Sequence, residues 1–172
     1  MLTWLFNRND SRRKASELYG AVVALARRRE LYADMGVADT PEGRYEALVM
    51  SLFLVLERLR GEGEEATAHA QALIEAFVTD MDDNMREMGV GDLTVPKKVK
   101  KAAAALYDRA DVYRAALSVE GNGELAAVLS RLIPATEGAT LDGQALAEDV
   151  RAQVARLAAV PLAAVIAGEL TA

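Results

Sequence analysis

Few residues in this chain could do acid–base or metal chemistry, and their spacing limits what they could achieve. His69 is the single histidine. On a helical wheel it shares a flank with Asp80 and Glu87, so an imidazole–carboxylate pair for proton transfer is conceivable; a solvated surface histidine is the plainer reading. Asp80, Asp82, Asp83 and Asn84 have the composition of a calcium loop. Such a loop, however, is a non-helical segment with glycine at its sixth position and glutamate at its twelfth, and here the apolar helical period runs straight on through Met85. The chain has no Gly-x-Ser-x-Gly nucleophile turn, no P-loop and no dinucleotide-binding glycine pattern. With no cysteine it has no disulfide, thiolate metal site or cysteine nucleophile. We therefore expect no enzyme, no cofactor, no metal and no small-molecule substrate.

The charges between Asp80 and Lys98 are the stronger signal. Asp80, Asp82, Asp83 and Glu87 crowd the end of one helical pattern, and Lys97, Lys98, Lys100 and Lys101 crowd the start of the next. Each set has the wrong sign for its own helix dipole, at a cost of roughly 0.3–1 kcal/mol per first-turn or last-turn charge. Two antiparallel neighbours would offset both faults, because the acids of one helix then lie beside the positive terminus of the other. The alternative is a bipolar contact surface for another protein, to which Met81, Met85 and Met88 would add adaptable apolar contacts. Methionines at this spacing also suit a core.

A second cluster lies at the amino terminus, where Leu2, Trp4, Leu5 and Phe6 precede Arg8, Arg12, Arg13 and Lys14. Trp4, Leu5 and Phe6 could enter a lipid interface while Arg12 and Arg13 meet anionic headgroups; equally, residues 1 to 14 could be a packed or frayed arm. The apolar block before the charges reverses the order of a secretory signal. A cytoplasmic protein, peripheral at most at the inner membrane, is the expectation.

The elements that position these groups are helical. Hydrophobic residues make up 52% and charged residues 27% of 172 residues, with few aromatics and abundant Ala, Leu, Glu and Arg, a composition that favours helix in one ordinary domain. A net charge of −6 argues against DNA binding. Leu18, Val22, Leu25 and Ala26 predict a helix from about residue 10 to 29. Thr40 and Pro41 cap and open a second helix to Leu59, apolar nearly all round and so central. A third runs from about 64 to 88 and stops at Gly89. A fourth follows from about 94 to 118, carrying Val99, Ala102, Leu106, Ala110 and Tyr113 inward. Shorter helices are expected over 124–133, 143–157 and 161–167. Gly121-Asn122-Gly123 marks the one plausible internal boundary, between a core of 15–120 and a carboxy-terminal subregion of 121–172 within the same domain.

Several runs in this order resemble the ubiquinol-cytochrome c chaperone family: Leu18-Tyr19-Gly20-Ala21-Val22-Val23, Gly36 to Tyr45, Leu54 to Leu59, the hairpin from Asp80 to Lys97, and Tyr107-Asp108-Arg109 with Tyr113. Asp-Met-Asp followed by Arg-Glu-Met-Gly-Val-Gly-Asp-Leu and Val-Pro-Lys is the most specific part. The resemblance spans about residues 15 to 118; residues 119 to 172 add little to it. Ser51 and Asp108 stand where the family often has His and Gly.

The resemblance implies a non-enzymatic assembly factor that binds cytochrome b, or the small partner acting with it, while respiratory complex III is built. With no transit peptide apparent, the chain looks like a bacterial member. Arg44, Asp80, Asp82, Arg86, Glu87 and Lys97 match the motif and are its candidate contacts with partner or client. Contact with a ribosome or a membrane surface, as an adaptor, is the other expectation. The fold class expected is an all-α, single-domain helical bundle of six or seven helices.

Overall fold

In the computed structural model, which describes the backbone of residues 3–170 and the side chains of residues 13–170, Thr40 and Pro41 act as their types dictate. The Thr40 hydroxyl accepts from the Gly43 amide at 3.2 Å, Pro41 occupies the first turn, and α3 runs Pro41–Leu59. From Glu46 to Val55 every residue of α3 is buried. A helix with no wet face has to be surrounded. Around it lie α1 (Thr3–Ala26), α4 (Glu64–Glu87), α5 (Val95–Leu117) and α7 (Gly143–Ala159), with α6 (Gly123–Leu132) against α5 and α7. Two five-residue helices complete the described chain, α2 (Arg29–Ala33) after α1 and α8 (Leu162–Ile166), which packs on α1. The fold is an all-α, single-domain bundle: all seven expected helices are present, and α2 is added.

Two boundaries differ from expectation. The first helix begins at Thr3, because no glycine or proline interrupts residues 3 to 19; Trp4, Leu5, Phe6 and Arg12 have their side chains outside the described residues. It ends at Ala26 and not near Arg29, with no local breaker. Arg28 leaves the helix in an extended conformation because its guanidinium is held elsewhere, at 3.0 and 2.6 Å from the two Asp149 oxygens of α7 and at 3.2 Å from the Leu25 carbonyl.

Turn chemistry follows the sequence more closely. Gly89 has φ +76°, and bonds from Gly89 N to Arg86 O (2.9 Å) and from Val90 N to Met85 O (3.0 Å) close α4 in a Schellman motif. Asp142 caps α7 by accepting from Ala145 N at 2.9 Å. The segment after α6 is strapped across the α2–α3 connection by Ala38 N to Pro134 O (2.9 Å), Thr136 N to Gly36 O (3.0 Å) and Asp142 N to Met35 O (2.9 Å). Residues beyond Gly121-Asn122-Gly123 are therefore tied to the same core.

That connection leaves no room at Gly43, where a Cβ would overlap the Ala38 carbonyl. Gly43→Ala should cost about 1–3 kcal/mol of unfolding free energy in urea titrations. Gly20→Ala, in open space on α1, should instead stabilise by about 0.5–1 kcal/mol.

Candidate functional site

The hairpin of α4 and α5 brings the sequence-predicted charges to one end of the bundle, but among the described residues no direct ion pair joins the two sets. The two helices pack against each other. Among the described residues no acid of the α4 end is ion-paired with a lysine of the α5 start. Arg86 serves the acids instead, with Nε 2.5 Å from Asp82 Oδ2 and Nη1 2.6 Å from Asp92 Oδ1, which raises its own basicity. Lys97, Lys98, Lys100, Lys101, Asp83 and Glu87 are exposed, and no ion pair among the described residues engages them. The reason is geometric: α5 turns Val95, Val99, Ala102 and Leu106 inward, so the lysines occupy its solvent side.

The same phasing decides the methionines. On α4 the buried positions are Ala66, His69, Leu73 and Phe77. Beyond Phe77 the stripe outruns the core: Met81 and Met85 are half-buried, Met88 is 70% exposed, and Leu93 in the turn is 92% exposed. An apolar knuckle thus stands at the hairpin tip, flanked by free charges of both signs.

The remaining predicted residues whose side chains are described have partners within the chain. Asp80 accepts a 2.7 Å hydrogen bond from the Tyr19 hydroxyl and ties α4 to α1. Burial first, and then the Asp80 carboxylate, raises the Tyr19 pKa well above its usual 10.0. Arg44 binds Asp39 at 2.6 Å on the surface, holding that carboxyl below its ordinary range. Arg13 pairs with Glu17 at 3.5 Å.

His69 is buried, contrary to the solvated position anticipated, because it falls on the inward stripe one turn from Ala66 and Leu73. Its Nε2 is 4.0 Å from Glu65 on the same helix, whereas Asp80 is about 16 Å further along the axis and is held by Tyr19. No acid–base pair with Asp80 or Glu87 is assembled. The acidic segment from Asp80 to Asn84 is helical, and no group of metal-ligating side chains is found among the described residues.

Sequence reasoning missed the buried pair between Glu46 and Arg109, whose guanidinium reaches both carboxylate oxygens at 2.9 and 3.1 Å. A glutamate directly before the apolar run of α3, on a helix expected to be central, was the available signal. Beside them Tyr113 packs its ring on Phe53 (centroids 5.4 Å apart), and burial pushes its phenol pKa up.

A sequence profile described as ubiquinol-cytochrome C chaperone matches residues 33–172. The chain belongs to the ubiquinol-cytochrome c chaperone family. Its fold is similar to the crystal structure of the Cbp3 homolog from Brucella abortus, with a TM-score of 0.83 and 35% identity over 99% of this chain and 96% of that one. No curated protein matches it. The family match corrects the sequence reading in one respect: it runs through the carboxy-terminal helices, where little resemblance was visible. Those helices are Ala- and Leu-rich, and they pack against α3 and α5.

Tyr19→Phe tests the α1–α4 tie. It should lower stability by about 0.5–1.5 kcal/mol near neutral pH. The raised pKa gives this contribution a direction: it is fully present below pH 10, where the unfolded phenol keeps its proton, and is lost as pH rises above that. The variant should therefore lose stability less steeply than the parent between about pH 9 and 11, read by denaturant midpoints.

Proposed function

We propose that this chaperone binds cytochrome b, or a partner that accompanies it, during assembly of respiratory complex III, and that the α4–α5 hairpin is its contact surface. The observation that carries the reading is the tip itself: Met88 and Leu93 stand in solvent, and the nearby Glu87 and Lys97 make no ion pair among the described residues. An exposed apolar knuckle rimmed by charge is what a protein interface uses, with burial supplying affinity and the rim supplying orientation. In this reading Lys97 and Glu87 touch the partner. Asp82 and Arg86 stiffen the turn through Asp92, and Asp80 fixes the hairpin against α1. Arg44 would belong to a wider footprint.

No helix among the described residues is long and apolar enough to cross a membrane. A client that is itself a membrane protein would be met peripherally, at the inner membrane of a bacterial cell. The chemistry required is binding and release, with no bond made or broken, which suits a surface of adaptable methionine and free charge.

In a strain deleted for this gene, complex III measured on native gels should fall, and the wild-type chain should restore it. A chain carrying Leu93→Asp and Lys97→Glu should fold with an unchanged melting temperature, because both side chains are exposed, yet fail to restore complex III or to co-purify cytochrome b. Normal complex III in the deletion strain would refute the assignment, and full rescue by the variant would refute the hairpin as the contact.

A further inference from the structure

A groove of about 670 Å³ lies between the start of α3 and the segment that leaves α6, a volume within the range of about 300–1,000 Å³ typical of ligand sites. Pro41 and Tyr45 form one apolar wall and Leu132, Ile133 and Pro134 the other. The Tyr45 hydroxyl is already used, donating to the Ala102 carbonyl at 3.1 Å, and Glu46 is closed by Arg109, while Ser130 on the lining is exposed.

The edge is different. Ala135 pairs antiparallel with Val37, and the hydrogen bonds of that bridge are made by the residues on either side, Ala38 N to Pro134 O and Thr136 N to Gly36 O. In such a pair the bridged residues turn their own N–H and C=O away from each other. Ala135 lines the groove and is exposed, and no hydrogen bond among the described residues engages its amide or its carbonyl. It presents a donor and an acceptor with the spacing of a sheet edge. Each wall also carries one exposed charge without an ion pair among the described residues, Glu42 on α3 and Arg131 at the end of α6.

We infer that this groove binds an extended peptide segment of a client protein, paired through its main chain with Ala135, with an apolar side chain between Tyr45 and Leu132, a basic residue toward Glu42 and an acidic one toward Arg131. Strand addition supplies the backbone bonds and the apolar walls select alternate side chains. Opposite charges on opposite walls set the direction in which the segment lies. A helical occupant could not use the Ala135 edge, because its own backbone groups are already bonded. No residue of the α4–α5 turn lines the groove.

The probe is a fluorescein-labelled octapeptide of alternating Val and Thr with Lys near one end and Asp near the other, titrated against the full chain by fluorescence anisotropy. Saturable binding is expected, weakened about tenfold or more when the central peptide amides are N-methylated, since that removes the strand bonds and leaves the protein untouched. Combined Glu42→Lys and Arg131→Glu should weaken binding of this peptide and favour one with its Lys and Asp exchanged, while Leu93→Asp at the hairpin should change nothing. Absence of saturable binding at about 1 mM peptide would overturn the proposal, as would equal affinity for the N-methylated peptide or indifference to the charge exchange.

Discussion

Ten consecutive residues of α3 are buried, and this single constraint organises the molecule. A helix buried on every side cannot be stabilised by one neighbour, so the chain must surround it. Burying each Leu, Val, Met or Phe of the run is worth about 1.5–3 kcal/mol only once all sides are covered. The polar residues within the run must be satisfied internally. Ser51 returns its hydroxyl to the Ala47 carbonyl at 2.9 Å, and Glu46 takes both its hydrogen bonds from Arg109. The pair thereby fixes how α5 lies against α3, and a second ion pair, Glu57 with Arg114 at 2.9 Å, repeats the link further along. The orientation of the hairpin therefore follows from a glutamate in the core.

Arginines do a comparable service at helix ends. The guanidinium of Arg58, on α3, donates to the Leu157 and Val160 carbonyls at the end of α7. Arg151, on α7, donates to Leu117, Val119 and Gly121 at the end of α5. Terminal carbonyls have no partners within their own helix, and a cation there also suits the dipole. Each arginine thus closes an end of one helix from the flank of another, which adds polar ties to the apolar packing of Leu129, Leu146, Val150 and Leu157 in the core. Gly121-Asn122-Gly123 reads as a boundary in sequence, yet Arg151 holds the chain at that point.

The end of α4 shows the reverse condition. Its apolar period continues to Met88, yet the same spacing that buries Phe77 leaves Met88 exposed. A surface apolar site made by overhang keeps the rigidity of the helix beneath it, and the Schellman turn at Gly89 keeps the tip from fraying.

The sequence by itself determined the helices whose signals are local: Thr40 and Pro41 at the start of α3, Asp142 at the start of α7, Gly89 at the end of α4, and the all-round apolar run that places α3 at the centre. It also supplied the family, because the hairpin wording is specific. Only the tertiary structure decided where α1 stops, since Arg28 is drawn out by Asp149 from 121 residues away. It likewise decided that His69 is buried, that Glu46 has a partner, and that the hairpin lysines face solvent and not the acids of α4. Those outcomes depend on which helix lies opposite, and period and charge within a single helix cannot specify the length or the polar groups of its neighbour.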